Sequence, residues 1–95
     1  MKIAQVRAYA LSLPEVIEAP HHHFSSFRAG GKIFLTVPPD EQFIHVFVAE
    51  EQRAVALLLA PECIEKLFWG DKVAGLRISL AEAKPALVKQ LLMLP

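Results

Sequence analysis

Apolar residues open the chain at three-to-four spacing, with Ile3, Val6, Ala10 and Leu13 falling on one side, and that period predicts an amphipathic helix over 2–12. Pro14 disfavours helical geometry at the residue before it and closes the helix. The segment 15–20 holds Val16 and Ile17 between turn-forming residues and reads either as a short edge strand or as an extended linker. An extended segment over 24–29 follows. Gly30-Gly31 then supply the positive φ angles of a tight reversal, which makes a hairpin with 32–37. In that second strand Ile33, Leu35 and Val37 alternate with Lys32, Phe34 and Thr36, so the first set is expected on one face and the second on the other. Pro38-Pro39-Asp40 breaks the strand. The run 43–48 is the strongest strand of the chain, with Ile44, Val46 and Val48 on one face and Phe43, His45 and Phe47 on the other. Three consecutive antiparallel strands make a meander.

The period then returns to that of a helix. Glu50 and Glu51 occupy a first turn, where carboxylates favour the positive end of the helix dipole, and Ala54 to Leu59 continue without a breaker up to Ala60-Pro61. Pro61 suits the first position of a second short helix through Ile64, Leu67 and Phe68, ended by Trp69-Gly70. A last strand covers 73–80, where Ala74, Leu76, Ile78 and Leu80 alternate with Val73, Gly75, Arg77 and Ser79. Leu87, Val88, Leu91, Leu92 and Leu94 recur at helical spacing, and Pro85 requires their helix to start close before it, near Ala83. Strands in a block with helices at both ends predict an α+β fold: an antiparallel sheet of about four to five strands, covered by helices on one face.

With 95 residues, one domain over 1–95 is expected, and 54% hydrophobic against 21% charged residues is the composition of a chain that folds. Formal net charge is zero. The basic excess is small and local: four basic against two acidic residues up to Lys32, one against four over 33–60, and five against four from Pro61 on. No segment carries the strong basic bias that usually marks a nucleic-acid binder. The single cysteine, Cys63, excludes an internal disulfide and fits a reducing compartment, so a cytoplasmic address is expected. The longest apolar run, Ala54 to Ala60, is far short of the ~20 residues a membrane span requires, and no membrane association is expected.

Leu13-Pro14-Glu15-Val16 and Phe27-Arg28-Ala29-Gly30-Gly31-Lys32-Ile33-Phe34, followed by Ala49-Glu50-Glu51, Trp69-Gly70 and Gly75-Leu76-Arg77-Ile78-Ser79-Leu80, resemble in order and spacing the MmcQ/YjbR-like family. The resemblance implies an α+β fold similar to frataxin-like proteins, sometimes called a double-wing arrangement, and a proposed role in binding DNA. Two positions depart from the family: Leu76 stands where it often has tryptophan, and Leu91-Leu92-Met93-Leu94-Pro95 replace its polar, tyrosine-containing C-terminal end.

For binding DNA, the chemistry points to cations that the hairpins bring to phosphates, Arg28, Lys32, Lys72 and Arg77, with Trp69 as a stacking or anchoring ring. The bland alternative is a solvated sheet edge kept from aggregating by its charges, with Trp69 packed at the edge of the core. His21-His22-His23 and His45 supply imidazoles, but neighbours on an extended strand point to opposite faces, so only His21 and His23 share a side and a third ligand is wanting. Neither a metal nor a cofactor is expected. Cys63 lies in an apolar, helical-looking context where a thiol is inert, Ser25 and Ser26 lack a strand-to-helix elbow, and the pairs Glu15/Glu18, Asp40/Glu41 and Glu50/Glu51 suit loops and helix starts, so no enzyme is expected. Gly30-Gly31-Lys32 opens a strand, whereas a phosphate-cradling loop opens a helix. The C-terminal run is more apolar than one helix face demands, which makes Leu87, Leu91 and Leu94 the expected surface for a protein partner or a second copy of the chain.

Overall fold

The computed structural model describes residues 1–93. Helix α1 (Ile3–Ser12) is followed by strands β1 (Val16–His21), β2 (Phe24–Ala29), β3 (Lys32–Val37) and β4 (Phe43–Val46). Helix α2 (Glu50–Leu59), strands β5 (Ile64–Trp69) and β6 (Lys72–Ser79) and helix α3 (Pro85–Met93) complete the order. The six strands form one antiparallel sheet in the order β1-β2-β3-β4-β6-β5. The α+β architecture and the meander are as the hydrophobic pattern predicts.

The sheet is wider than expected because two segments turn out to be strands. Residues 15–20, open between strand and linker, supply edge strand β1, in register with β2 from Val16 opposite Ala29 to His21 opposite Phe24. The short helix expected from Pro61 does not form: Ile64 to Trp69 are extended as β5, and Cys63 sits in the turn before it. Trp69-Gly70, read as a helix terminus, opens a hairpin turn to β6. The physical reason is tertiary. Ile64 pairs with Ile78 on the covered face, and the strand satisfies its backbone along the free edge of β6, which outweighs the local helix signal of Pro61. Two boundaries also move. Helix α3 starts at Pro85 itself, the position where a missing amide costs nothing, and β4 ends at Val46, although the Phe47 amide still donates to the Phe34 carbonyl at 3.0 Å.

A β-bulge revises the faces of β3. Phe27 opposes Leu35 and Arg28 opposes Ile33, so Phe34 is the extra residue of the longer strand. The alternation therefore slips: Phe34 joins Leu35 and Val37 in the core, whereas Ile33 and Thr36 belong to the opposite face. A second bulge, with Leu67 opposite Gly75 and Phe68 opposite Val73, leaves Ala74 as the extra residue of β6.

The helices cover the face built from Ile44, Val46, Leu76 and Ile78, all four fully buried. Val6 and Ala10 of α1, Ala56 of α2, and Val88, Leu91 and Leu92 of α3 fill the layer against it. Helix α1 lies on β1 and α3, and α2 on β5. Arg7 Nε donates to both Glu18 carboxylate oxygens at 3.1 and 3.2 Å, and the Ser25 hydroxyl donates to the same group, which fixes α1 against the β1 edge. An exposed pair of this kind contributes little stability, so its effect is on orientation.

Candidate functional site

No helix residue lines the concavity on the other side of the sheet; strands, the β1–β2 turn and Phe47, just past the end of β4, supply it. The alternation of β4, continued one residue past its end, places Phe43, His45 and Phe47 on this side of the sheet, each half-buried, and His45 and Phe47 line the concavity. Across the ladder Thr36 stands opposite His45 on one side and Arg77 opposite His45 on the other. The bulge in β3 brings Ile33 onto this surface and the alternation of β5 brings Leu67, with Phe24 and His21 from the far strands and Trp69 from the opposite edge. The result is a pocket of about 490 Å³ with an apolar floor and aromatic sides. Phe47 and Trp69 are tilted rings 5.5 Å apart, and Phe24 and His45 a second pair at 5.9 Å.

Gly75 sits under this surface for a steric reason. A Cβ at that position would stand 2.6 Å from the Val46 carbonyl oxygen and 3.0 Å from the Phe47 ring, so only glycine lets the ring lie over β6.

The surroundings of His45 disfavour its protonated form. Burial lowers its pKa from the ordinary 6.5, the Arg77 guanidinium lowers it further, and Asp40 opposes both. Its Nε2 is buried without a partner among the described residues, as is Arg28 Nε. The linkage has a definite sign. Above pH 6.5 the folded and unfolded chains both carry a neutral His45, and as pH falls through 6.5 the unfolded chain binds the proton first. Stability is therefore expected to decline below about pH 6.5. Urea midpoints at pH 7.5 and 5.5 should show a smaller decline in His45→Gln than in the wild type, and an equal decline in both would remove His45 as the cause.

The cations expected to meet phosphate do not behave alike. Strands β3 and β6 are both antiparallel to β4 and so run the same way, and each begins immediately after a glycine-containing turn. The Gly30-Gly31 and Gly70-Asp71 turns therefore lie at the same end of the sheet, with exposed Lys32 and Lys72 as the first residues of their strands. One strand, β4, lies between β3 and β6 in the sheet, and it ends at Val46, before the level of the two lysines. Trp69 opposes Lys72 across the hairpin and is 67% exposed, so it is not packed at the core edge. Arg28, opposite Ile33, belongs to the open face one step in from the turn. Arg77 is differently committed: its NH1 lies 3.0 Å from Glu65, and its guanidinium carbon is 3.6 Å from the centre of the Phe43 ring.

Sequence reasoning missed Phe24, Ile33, Thr36, Phe47 and Leu67 as site residues. The Phe43, His45, Phe47 alternation was the available signal; the bulge and the strand at β5 carry no comparable local mark.

Of the remaining candidates, His21 and His22 line the same pocket as His45. His21 ends β1, and His22 and His23 form the β1–β2 turn, with His22 at φ +58°. Among the described residues no three His, Cys, Asp or Glu side chains converge as metal ligands. The Cys63 thiol is buried, lies 3.8 Å from the Ala60 carbonyl, and is pushed up in pKa by burial and by Glu62 and Glu82. Ser26 donates to the Ala19 carbonyl at 2.8 Å. Leu91 is buried in the core and Leu87 half-buried, so α3 presents less apolar surface to a partner than its composition suggests, and Leu94 lies outside the described residues. On α3 the exposed large apolar side chain is Met93, whereas α2 exposes three, Val55, Leu58 and Leu59. No helix among the described residues is long and apolar enough to cross a membrane.

No family model matches the chain, and no curated protein matches it. Among solved structures, it is similar to protein DR2400 of Deinococcus radiodurans, described as carrying a DUF419 domain, with a TM-score of 0.78 and 19% identity over 96% of this chain and 72% of that one. DUF419 is a YjbR/MmcQ-like family, and the likeness is one of fold.

Proposed function

We propose that the protein is a non-catalytic DNA-binding module of the MmcQ/YjbR-like kind, with its ligand lying along the open face of the sheet. The observation that carries this reading is the placement of both glycine turns at one end of the sheet, where Arg28, Trp69 and Lys72 belong to the open face and Lys32, opposite Ala29, stands at the same end. Within the two turns and the residues that open their strands, Lys32 and Lys72 stand against one acidic residue, Asp71. Lysines on hairpin ends reach phosphates without a deep groove, and an exposed tryptophan offers a face on which an unstacked base rests. Arg77, paired with Glu65 and stacked on Phe43, contributes to the shape of the surface more than to its charge.

Fluorescence anisotropy of labelled duplex and single-stranded DNA tests the reading. Affinity is expected to fall steeply with salt, and the Lys32→Ala/Lys72→Ala double variant is expected to bind about tenfold more weakly with a salt slope shallower by about two. Absence of binding at low salt, or a double variant indistinguishable from wild type, would contradict it.

A further inference from the structure

We infer that the pocket in the open face of the sheet takes an uncharged, planar heteroaromatic ring, a nucleobase, between the Trp69–Phe47 and Phe24–His45 pairs. The inference rests on the proposed DNA-binding reading and specifies what that reading leaves open, namely where a base goes.

The first ground is charge. No Asp, Glu, Lys or Arg lines the pocket, while Lys32 and Lys72 stand on the turns at one end of the same sheet. A nucleotide has the matching division, an uncharged ring joined to an anionic phosphate, so the ring gains from the apolar interior and the phosphate from the lysines. The second ground is shape and surface. At about 490 Å³ the pocket falls within the range of small-ligand sites and exceeds what a single ring needs. Two aromatic pairs line it, and aromatic faces accept any base because every base has a π-face. Gly75 supports the arrangement by leaving room for the Phe47 ring. The third ground is the polar complement. An aliphatic chain would fill the volume but leave the Thr36 hydroxyl and the His45 imidazole unanswered. His45 lines the pocket beside the Phe24 ring, and its Nε2 is buried with no partner among the described residues, a polar atom that the edge of a heteroaromatic ring can satisfy.

The base has two sources, a free nucleotide or a single strand, and the test separates them. Trp69 is the only tryptophan and lines the pocket, so its fluorescence reads occupancy directly. The full chain is titrated with deoxyadenosine monophosphate, with a short oligodeoxyadenylate, and with an abasic strand of the same length. Quenching by the mononucleotide and an abasic strand bound about tenfold more weakly than the base-bearing one are expected. Phe24→Ala, checked for an unchanged far-ultraviolet spectrum, should lose most of the mononucleotide quenching. Quenching by the mononucleotide with no tighter binding of the oligonucleotide supports the pocket and removes the strand as its source. No quenching by the mononucleotide, together with an abasic strand that binds as tightly as the base-bearing one, overturns the pocket and leaves the lysine contacts to DNA standing.

Discussion

Gly75→Ala should lower the stability of the protein by about 1–3 kcal/mol, the usual cost of forcing a methyl group into filled space. Its Cβ would meet the Val46 carbonyl oxygen at 2.6 Å, a backbone atom in the ladder between β4 and β6, so no side-chain rotation relieves the clash. Either the two strands separate locally or Phe47 tilts away from the pocket. In a chain of this size each kcal/mol corresponds to roughly 4–8 °C of melting temperature, so the loss is visible in a thermal melt. The variant should also show altered Trp69 fluorescence, because the Phe47 ring that moves is the one packed 5.5 Å from the indole. A melt and an emission spectrum both equal to wild type would mean that β6 yields at this point and that Gly75 does not hold the aromatic surface in place.

Phe27→Ala is expected to cost more, about 3–5 kcal/mol. Phe27 is fully buried on the covered face, opposite Leu35 and next to the bulge that carries Phe34. Truncation leaves a void where two phenylalanines and a leucine meet beneath the helix layer, and total stabilities of small domains are only about 5–15 kcal/mol. A urea midpoint reduced by a large fraction is the expected result. A change below about 1 kcal/mol would indicate that Phe34 collapses into the void and that the bulge is not a fixed feature of the register.

The meander was legible because alternation is strict in β4, where Ile44 and Val46 separate cleanly from Phe43 and His45, and because Gly30-Gly31 mark the preceding turn unambiguously. The ends of the chain were legible for a similar reason, since Val6 with Ala10 and Val88 with Leu91 and Leu92 keep helical spacing. Two things were not. Ile64 to Trp69 mix charged and apolar residues without a clean period of either kind, so Pro61 dominates the local signal, and only the partner strand β6 selects the extended form. The bulge at Phe34 is poorly marked, because Ile33, Leu35 and Val37 alternate as in a regular strand and only the apolar Phe34 between Lys32 and Thr36 departs from the pattern; it arises from the pairing of that strand with β2.

The site suffered from both gaps at once. Lys32, Trp69 and Lys72 could be chosen by chemistry, since exposed cations beside turns and a lone tryptophan stand out in any sequence. That Lys32 and Lys72 share one end of the sheet follows only from the crossover that places β6 beside β4. The pocket needs Ile33 and Leu67 on the open face, and each depends on an element whose geometry the local sequence does not announce.

The central claim is that the open face of the sheet, and not the helix layer, is the binding surface. Mapping amide shifts of the isotope-labelled protein against a single-stranded oligodeoxynucleotide at physiological salt tests it most directly. The expected result is that shifts concentrate at Arg28, Lys32, Trp69 and Lys72 and spread into Thr36, His45 and Phe47, leaving α2 and α3 unmoved. Shifts centred on Val55, Leu58 and Leu59 of α2, or none at saturating oligonucleotide, would contradict it.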